Sequence, residues 1–470
     1  MKHQTKLGIM LGYFALAIIL LPATASACST FKLQKGDGLV YGHNLNEGEI
    51  GVPGLLFINQ RGIFKTGRSW SELTTKEELN PSKHTWISRY GSITFNCFGK
   101  DLPDGGMNEA GLVIWEMSQD IEYPKNDSLP KLAQMNWMQY ILDNYDTVDE
   151  AIQCAHDFQI DGWGWHYFVG DKTGNTAAIS FIEGQVVVNH DEDMPIPALF
   201  NSPYAREMEL LNYYQDFGGS YPIDIHDPKI PRFVRTAKMI EQYKPSRNIA
   251  KYGFKMLKDL RVNDDPEWSV IFDIRKREVH FKTRLHPAIK SLSMTKIDFS
   301  NSQPSRFVNI DDVKAGNIQG ELEEYSNTKM STFTSSFLVP ILPEQFFTSG
   351  GISTDEYIGR TSTHTDAATL EENQYFKGNW EYQKDNGEIV TYELDTHGAA
   401  VTGRVIMSGG AESFKADHLH LIGNQLSFTY RKTSGMFVEM QARIEGDSLA
   451  VALNGIEDSY GNYVFTRKHN

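Results

Sequence analysis

The feature that most constrains this chain is a cysteine placed directly behind a removable leader. Lys2 and Lys6 make a short positive start, and residues 7–21 form an uncharged, mostly apolar run. Ala25-Ser26-Ala27 then supplies small residues where a signal peptidase cuts. A cut after Ala27 makes Cys28 the first residue of everything that folds. This reading predicts an exported protein, periplasmic or secreted once the leader is gone.

A mature N-terminal cysteine carries a thiol and a free α-amine on one residue. The amine has a reference pKa of about 7.7–8.0 and the thiol of about 8.5. A base that works near neutral pH needs a pKa close to that pH, so the amine is a candidate to deprotonate its own thiol. The chemistry is the cysteine counterpart of the threonine and N-terminal amine pair. Two other readings stay open. Cys28 could be an inert, packed thiol. It could also be the lipidated terminus of a lipoprotein, which would block amine and sulfur together. Lipoprotein signals usually carry Leu three residues before the cysteine, where this chain has Ala25.

At 470 residues the chain is long for one domain, and two are expected. The leader removes two lysines and no acid, which moves the net charge from −15 to −17. Such a surface argues against nucleic acid or an anionic membrane as a general partner. No second apolar run is long enough for a stable membrane span. Three cysteines occur, Cys28, Cys97 and Cys154, fewer than a disulfide-held exported domain carries. A bridge from Cys97 to Cys154 would leave Cys28 free. There is no CxxC pair, no HExxH and no phosphate loop, and His166, His190, His226 and His280 are scattered. No metal or cofactor is expected.

Alternation predicts strands over 29–40, broken by a turn at Lys35-Gly36-Asp37-Gly38, and from Leu39 into Asn46. A second hairpin is expected from 55–60 and the strand around Ile63-Phe64. Further strands are expected at 91–98 and 112–117. The period then changes. Leu132, Met135, Trp137, Met138, Ile141, Leu142 and Tyr145 share one helical face, and Thr147 to Glu150 caps a second helix. Hairpins follow over 167–181 and 269–283, with a helix over 235–243 between them. Strands, two helices, then strands predict an α+β layered domain over 28–345. Residues 346–372 read as a polar linker. Residues 373–470, with short alternating runs punctuated by Gly and Asn, read as a small all-β barrel or sandwich.

Several segments, in order behind Cys28-Ser29-Thr30-Phe31, resemble the choloylglycine hydrolase and penicillin V acylase family of N-terminal nucleophile hydrolases. They are Tyr41-Gly42-His43-Asn44-Leu45-Asn46, Gly105-Gly106-Met107-Asn108-Glu109-Ala110-Gly111-Leu112, and Trp137-Met138-Gln139-Tyr140-Ile141-Leu142-Asp143. Phe200-Asn201-Ser202-Pro203, Arg232-Phe233-Val234-Arg235 and Trp268-Ser269-Val270-Ile271-Phe272-Asp273 complete the set. The matches end near residue 300, so the C-terminal β region lies outside them.

The resemblance implies a four-layer αββα sandwich that hydrolyses a linear carbon–nitrogen amide bond of a small-molecule N-acyl compound, and it implies homo-oligomers. Cys28 would be the nucleophile. Asn201 would donate to the oxyanion, with the main chain near Ser118 as a second donor, and Arg232 would sit near the thiol. Two positions depart from the pattern. His43 stands where the family has arginine, and Asn46 stands where it has the aspartate that orients the cysteine amine. Trp115, Trp137 and Tyr204 are candidates for an apolar acyl pocket. A non-catalytic exported binding protein or lipoprotein on the same fold is the alternative.

Overall fold

Gly36 adopts a φ of +58°, a left-handed conformation that glycine reaches without strain. It reverses the chain between β1 (Ser29–Lys35) and β2 (Gly38–Leu45), which pair antiparallel from Ser29↔Asn44 to Lys35↔Gly38. The first hairpin is therefore as expected. The structure is a computed structural model that describes residues 27–47, 51–76, 84–245, 248–262, 266–300, 303–362, 376–397, 400–407, 409–415, 417–422, 425–431, 437–445, 448–455 and 461–468. The expected leader, up to residue 26, lies outside the described residues.

β1 and β2 sit near one edge of a seven-stranded sheet that continues through Trp268–Asp273 and Glu278–Thr283. A nine-stranded sheet faces it and contains Leu55–Asn59, Ser92–Asn96, Gly105–Asn108, β3 (Val113–Ser118) and Trp165–Gly170. Aromatic rings fill the space between. Trp115 stacks on His43 and on Phe272, Phe95 packs against Trp268 and Phe281, and Tyr41 meets Phe168 edge-on.

Helices cover the outer faces. The helix α1 (Gln134–Asn144) lies on Gly105–Asn108 and β3. On the other side α2 (Arg232–Gln242) packs against Ala198–Leu199, and α3 (Ile249–Asp259) against β2 and Trp268–Asp273. The layering is αββα. One large apolar core runs from Cys28 to Tyr357.

Two local expectations fail for non-local reasons. Leu55–Asn59 does not pair with the strand after it. It pairs with Ser92–Asn96 and Arg306–Asn309, while Phe64–Thr66 pairs with Thr85–Ile87. The polar segment expected as a linker begins with two helices, Glu344–Gly350 and Thr354–Ser362. Their Phe347 and Tyr357 are buried in the main core, which holds them in place despite polar neighbours. The rest of that segment, 363–375, lies outside the described residues.

Beyond it, nine strands among the described residues form one antiparallel sheet, with Gly410–Lys415 and Asp417–Ile422 last in its strand order at either end. Gly378–Gln383 pairs with the last strand, Gly461–Arg467, and so bends the sheet round on itself. It has its own core around Trp380, Tyr392, Met440 and Phe465. No described helix is long and apolar enough to cross a membrane.

Candidate active site

Cys28 lies one residue before β1 and is fully buried. The β1–β2 register extends one step past both strands, because the Ala27 N–H donates to the Asn46 carbonyl at 2.8 Å. Side chains on a strand alternate between faces. His43 faces the inter-sheet core, where it stacks on Trp115 with ring centroids 4.1 Å apart. Asn44 and Asn46 face the helix layer. Asn44 Nδ2 donates to the Leu257 carbonyl at 2.9 Å, and Asn46 Nδ2 to that of Val262 at 3.4 Å. Alternation then brings Glu47 to the side of Cys28, and the thiol approaches Glu47 Oε1 at 3.7 Å. Glu47 is itself held, since its N–H donates to the Glu267 carboxylate at 3.0 Å.

A second carboxyl meets the same thiol. Glu116 of β3 is buried, and one donor atom each of Cys28, Glu47 and Glu116 lies within 4.8 Å of the others. Burial, reinforced by the charges of Glu47 and Asp104, pushes the Glu116 carboxyl well above the usual carboxylate range. Burial also raises Asp104 to about 7, although it accepts from the Cys97 N–H at 2.8 Å. Sequence reasoning found neither glutamate. Glu47 carried a signal, an acid within one residue of the expected aspartate. Glu116 carried none.

Arg232 opens α2 directly behind Pro231. Its Nη1 donates to the Cys28 carbonyl and to Ser29 Oγ, both at 2.9 Å, and also to the Ala27 carbonyl. Its Nη2 reaches Asn201 Oδ1 at 3.3 Å, and the guanidinium lies over the Phe200 ring. Burial lowers its pKa to about 10, opposed by Cys28 and Glu207, so the group stays charged at neutral pH. Cys28, Asn201 and Arg232 are thus brought together. Oδ1 of Asn201 accepts from Arg232, so Nδ2 is the atom of that amide able to donate.

His43 shares a 2.8 Å hydrogen bond between Nδ1 and Thr30 Oγ1. Burial drives its pKa down to about 3, so the ring is neutral at neutral pH. Ser118 ends β3, opposite Trp165 in the neighbouring strand. Trp115 and Trp137 are fully buried in the core, and the Tyr204 hydroxyl is turned to the Ile196 carbonyl. Cys97 and Cys154 are separate buried thiols.

No family model matches the chain. A penicillin V acylase from Pectobacterium atrosepticum is 25% identical, over 46% of this chain and 69% of that protein. The structure of penicillin V acylase from Agrobacterium tumefaciens overlays with a TM-score of 0.55 at 21% identity, covering 64% of this chain and 98% of the other. The chain is thus similar in sequence to a penicillin V acylase and shares the fold of another. A variant of conjugated bile acid hydrolase from Clostridium perfringens overlays with a TM-score of 0.49 at 16% identity, over 61% of this chain and 98% of that one.

The longest of the segments that carry the resemblance has a structural task in this chain. A Cβ on Gly105 would stand 2.0 Å from the Trp115 ring, so glycine lets that ring lie against its neighbouring strand. Asn108 Nδ2 donates to the carbonyls of Leu142 and Tyr145 at the end of α1. Its Oδ1 accepts from the N–H groups of Ala110 and Leu112. The segment ties β3 to α1 and so fixes where Glu116 stands.

Proposed function

We propose that the mature protein is an exported cysteine amidohydrolase that cleaves a linear N-acyl amide, with Cys28 as nucleophile. The relatives named as penicillin V acylase support this class. The observation that carries the reading is the Cys28 thiol beside the Glu47 carboxylate, with Arg232 bound to the Cys28 carbonyl and to Asn201.

Cleavage after Ala27 turns the Cys28 amide nitrogen into an amine. The amine accepts the thiol proton, and the thiolate attacks the substrate carbonyl carbon. The oxyanion is held by the Asn201 amide and a main-chain N–H near Ser118; one such donor is worth about 2.7–4 kcal/mol. The ammonium returns its proton to the leaving nitrogen, the amine departs, and water hydrolyses the thioester. Asn46 brings no charge to this step, and its side chain faces the helix layer. Glu47 is the group that orients the ammonium. Arg232 fixes the first residues of β1 and favours the thiolate by its charge. The neutral His43 packs the strand from the core side.

The test is a panel of N-acyl amides with aromatic, aliphatic and steroid acyl groups. It is run on protein expressed with its leader, with the N-terminus read by mass spectrometry. A free Cys28 terminus with hydrolysis that Cys28→Ala abolishes supports the proposal. A lipidated Cys28, or a residue before it, overturns it in favour of a non-catalytic exported protein.

A further inference from the structure

We infer that Cys28, Glu47 and Glu116 form a binding site for a single divalent cation of the zinc type, whose binding caps the thiol. The site regulates the centre proposed above, and only its inhibitory consequence rests on that reading.

The donors are prearranged. Sγ of Cys28 and Oε1 of Glu47 are 3.7 Å apart, and all three donor atoms lie within 4.8 Å of one another. A tetrahedral zinc with its usual bond lengths holds a sulfur and an oxygen ligand about 3.6 Å apart. The three residues lie just before β1, just after β2 and on β3, so the two facing sheets set their spacing.

Glu116 supplies the independent observation. Its Oε2 is buried and has no hydrogen-bond partner among the described residues. A buried acceptor left without a donor is costly, and the hydrolytic steps do not use this group. A cation beside the thiol satisfies it. One sulfur with two carboxylate oxygens suits zinc-like ions, whereas calcium and magnesium take oxygen ligands only.

Coordination sends the thiol proton, together with the proton that burial keeps on Glu116, to solvent and commits a sulfur lone pair to the metal, with no redox change. The thiol then cannot attack a carbonyl until the ion leaves. In the mature chain the α-amine of Cys28 can fill the fourth position, closing a five-membered chelate with its own sulfur.

Purified wild-type protein is stripped with a chelator and titrated with cobalt(II), then with zinc by calorimetry. One ion per chain is expected, with a thiolate-to-cobalt absorption band in the near ultraviolet. Cys28→Ala should abolish the band and Cys97→Ala should keep it. Glu116→Gln and Glu47→Gln should each weaken binding at least about tenfold, with circular dichroism confirming that both fold. Zinc should inhibit amide hydrolysis, and chelator should restore it. No band in wild type, a band that survives Cys28→Ala, or unchanged affinity in both glutamine variants overturns the site. The cobalt readout does not depend on turnover. A band without hydrolysis keeps the site and sinks the amidase, and hydrolysis without a band does the reverse.

Discussion

The guanidinium of Arg232 donates to the Cys28 carbonyl at 2.9 Å, so the first turn of a helix is pinned to the residue just before a strand more than 200 positions earlier. The same group binds Ser29 and Asn201. Lysine keeps the charge but lacks the planar fork of donors. Arg232→Lys should therefore lower kcat/KM at least about tenfold, or about 1.4 kcal/mol of transition-state stabilisation. Steady-state kinetics on the best amide of the panel checks this, and unchanged kcat/KM would remove Arg232 from the site.

Glu47→Gln separates charge from shape. A carboxylate beside the Cys28 ammonium raises that group's pKa, and the free amine is the form that acts as base. Removing the charge should move the acidic limb of the kcat/KM–pH profile to lower pH and reduce its plateau. A profile that keeps its limb would show that Glu47 does not face the amine.

His43 predicts an acid weakness in the fold. Its folded-state pKa is about 3 against a reference of 6.5, so below pH 6.5 the unfolded chain binds a proton that the folded chain refuses. This contribution leaves stability untouched above 6.5. It lowers stability as pH falls towards 3, by at most about 1.4 kcal/mol per pH unit. His43→Phe keeps a ring on Trp115 and should flatten that part of the decline. Denaturation midpoints of the two proteins between pH 4 and 7 measure the difference.

Lys65 holds two buried acids. Its Nζ lies 2.7 Å from Asp101 and 2.9 Å from Asp143, and all three are almost wholly buried. Lys65→Met would leave Asp143 without a cation, at a cost of about 3–5 kcal/mol, while Asp101 keeps Lys100 at 2.9 Å. Thermal unfolding at pH 7 should show a clear fall in midpoint. The deficit should shrink at lower pH, because protonated carboxyls no longer need the ammonium.

Much of the first domain is legible in the amino-acid sequence. The β1–β2 turn, the helix Gln134–Asn144 within the face read from Leu132 to Tyr145, and the capped helix behind Thr147 all follow from residues close in the chain, although Leu132 itself lies in the short strand Lys131–Ala133. The pairing of Leu55–Asn59 is not legible there, because its neighbours come from Ser92–Asn96 and Arg306–Asn309. Nor are the helices at Glu344–Gly350 and Thr354–Ser362. A few buried aromatics hold them in the core, and a polar average hides those residues.

The candidate site divides the same way. Cys28, Asn201 and Arg232 stand out as residue types inside recognisable segments, and the chain alone determines that chemistry. Whether Asn46 or Glu47 faces the thiol is a matter of strand parity, where a shift of one residue exchanges the two faces. That Glu116 joins them is decided by two sheets packing face to face, across 88 positions of chain. Local sequence sets turns, periods and reactive groups because those depend on neighbours along the backbone. Tertiary structure decides which buried charges share a space, because that depends on pairings that no local stretch contains.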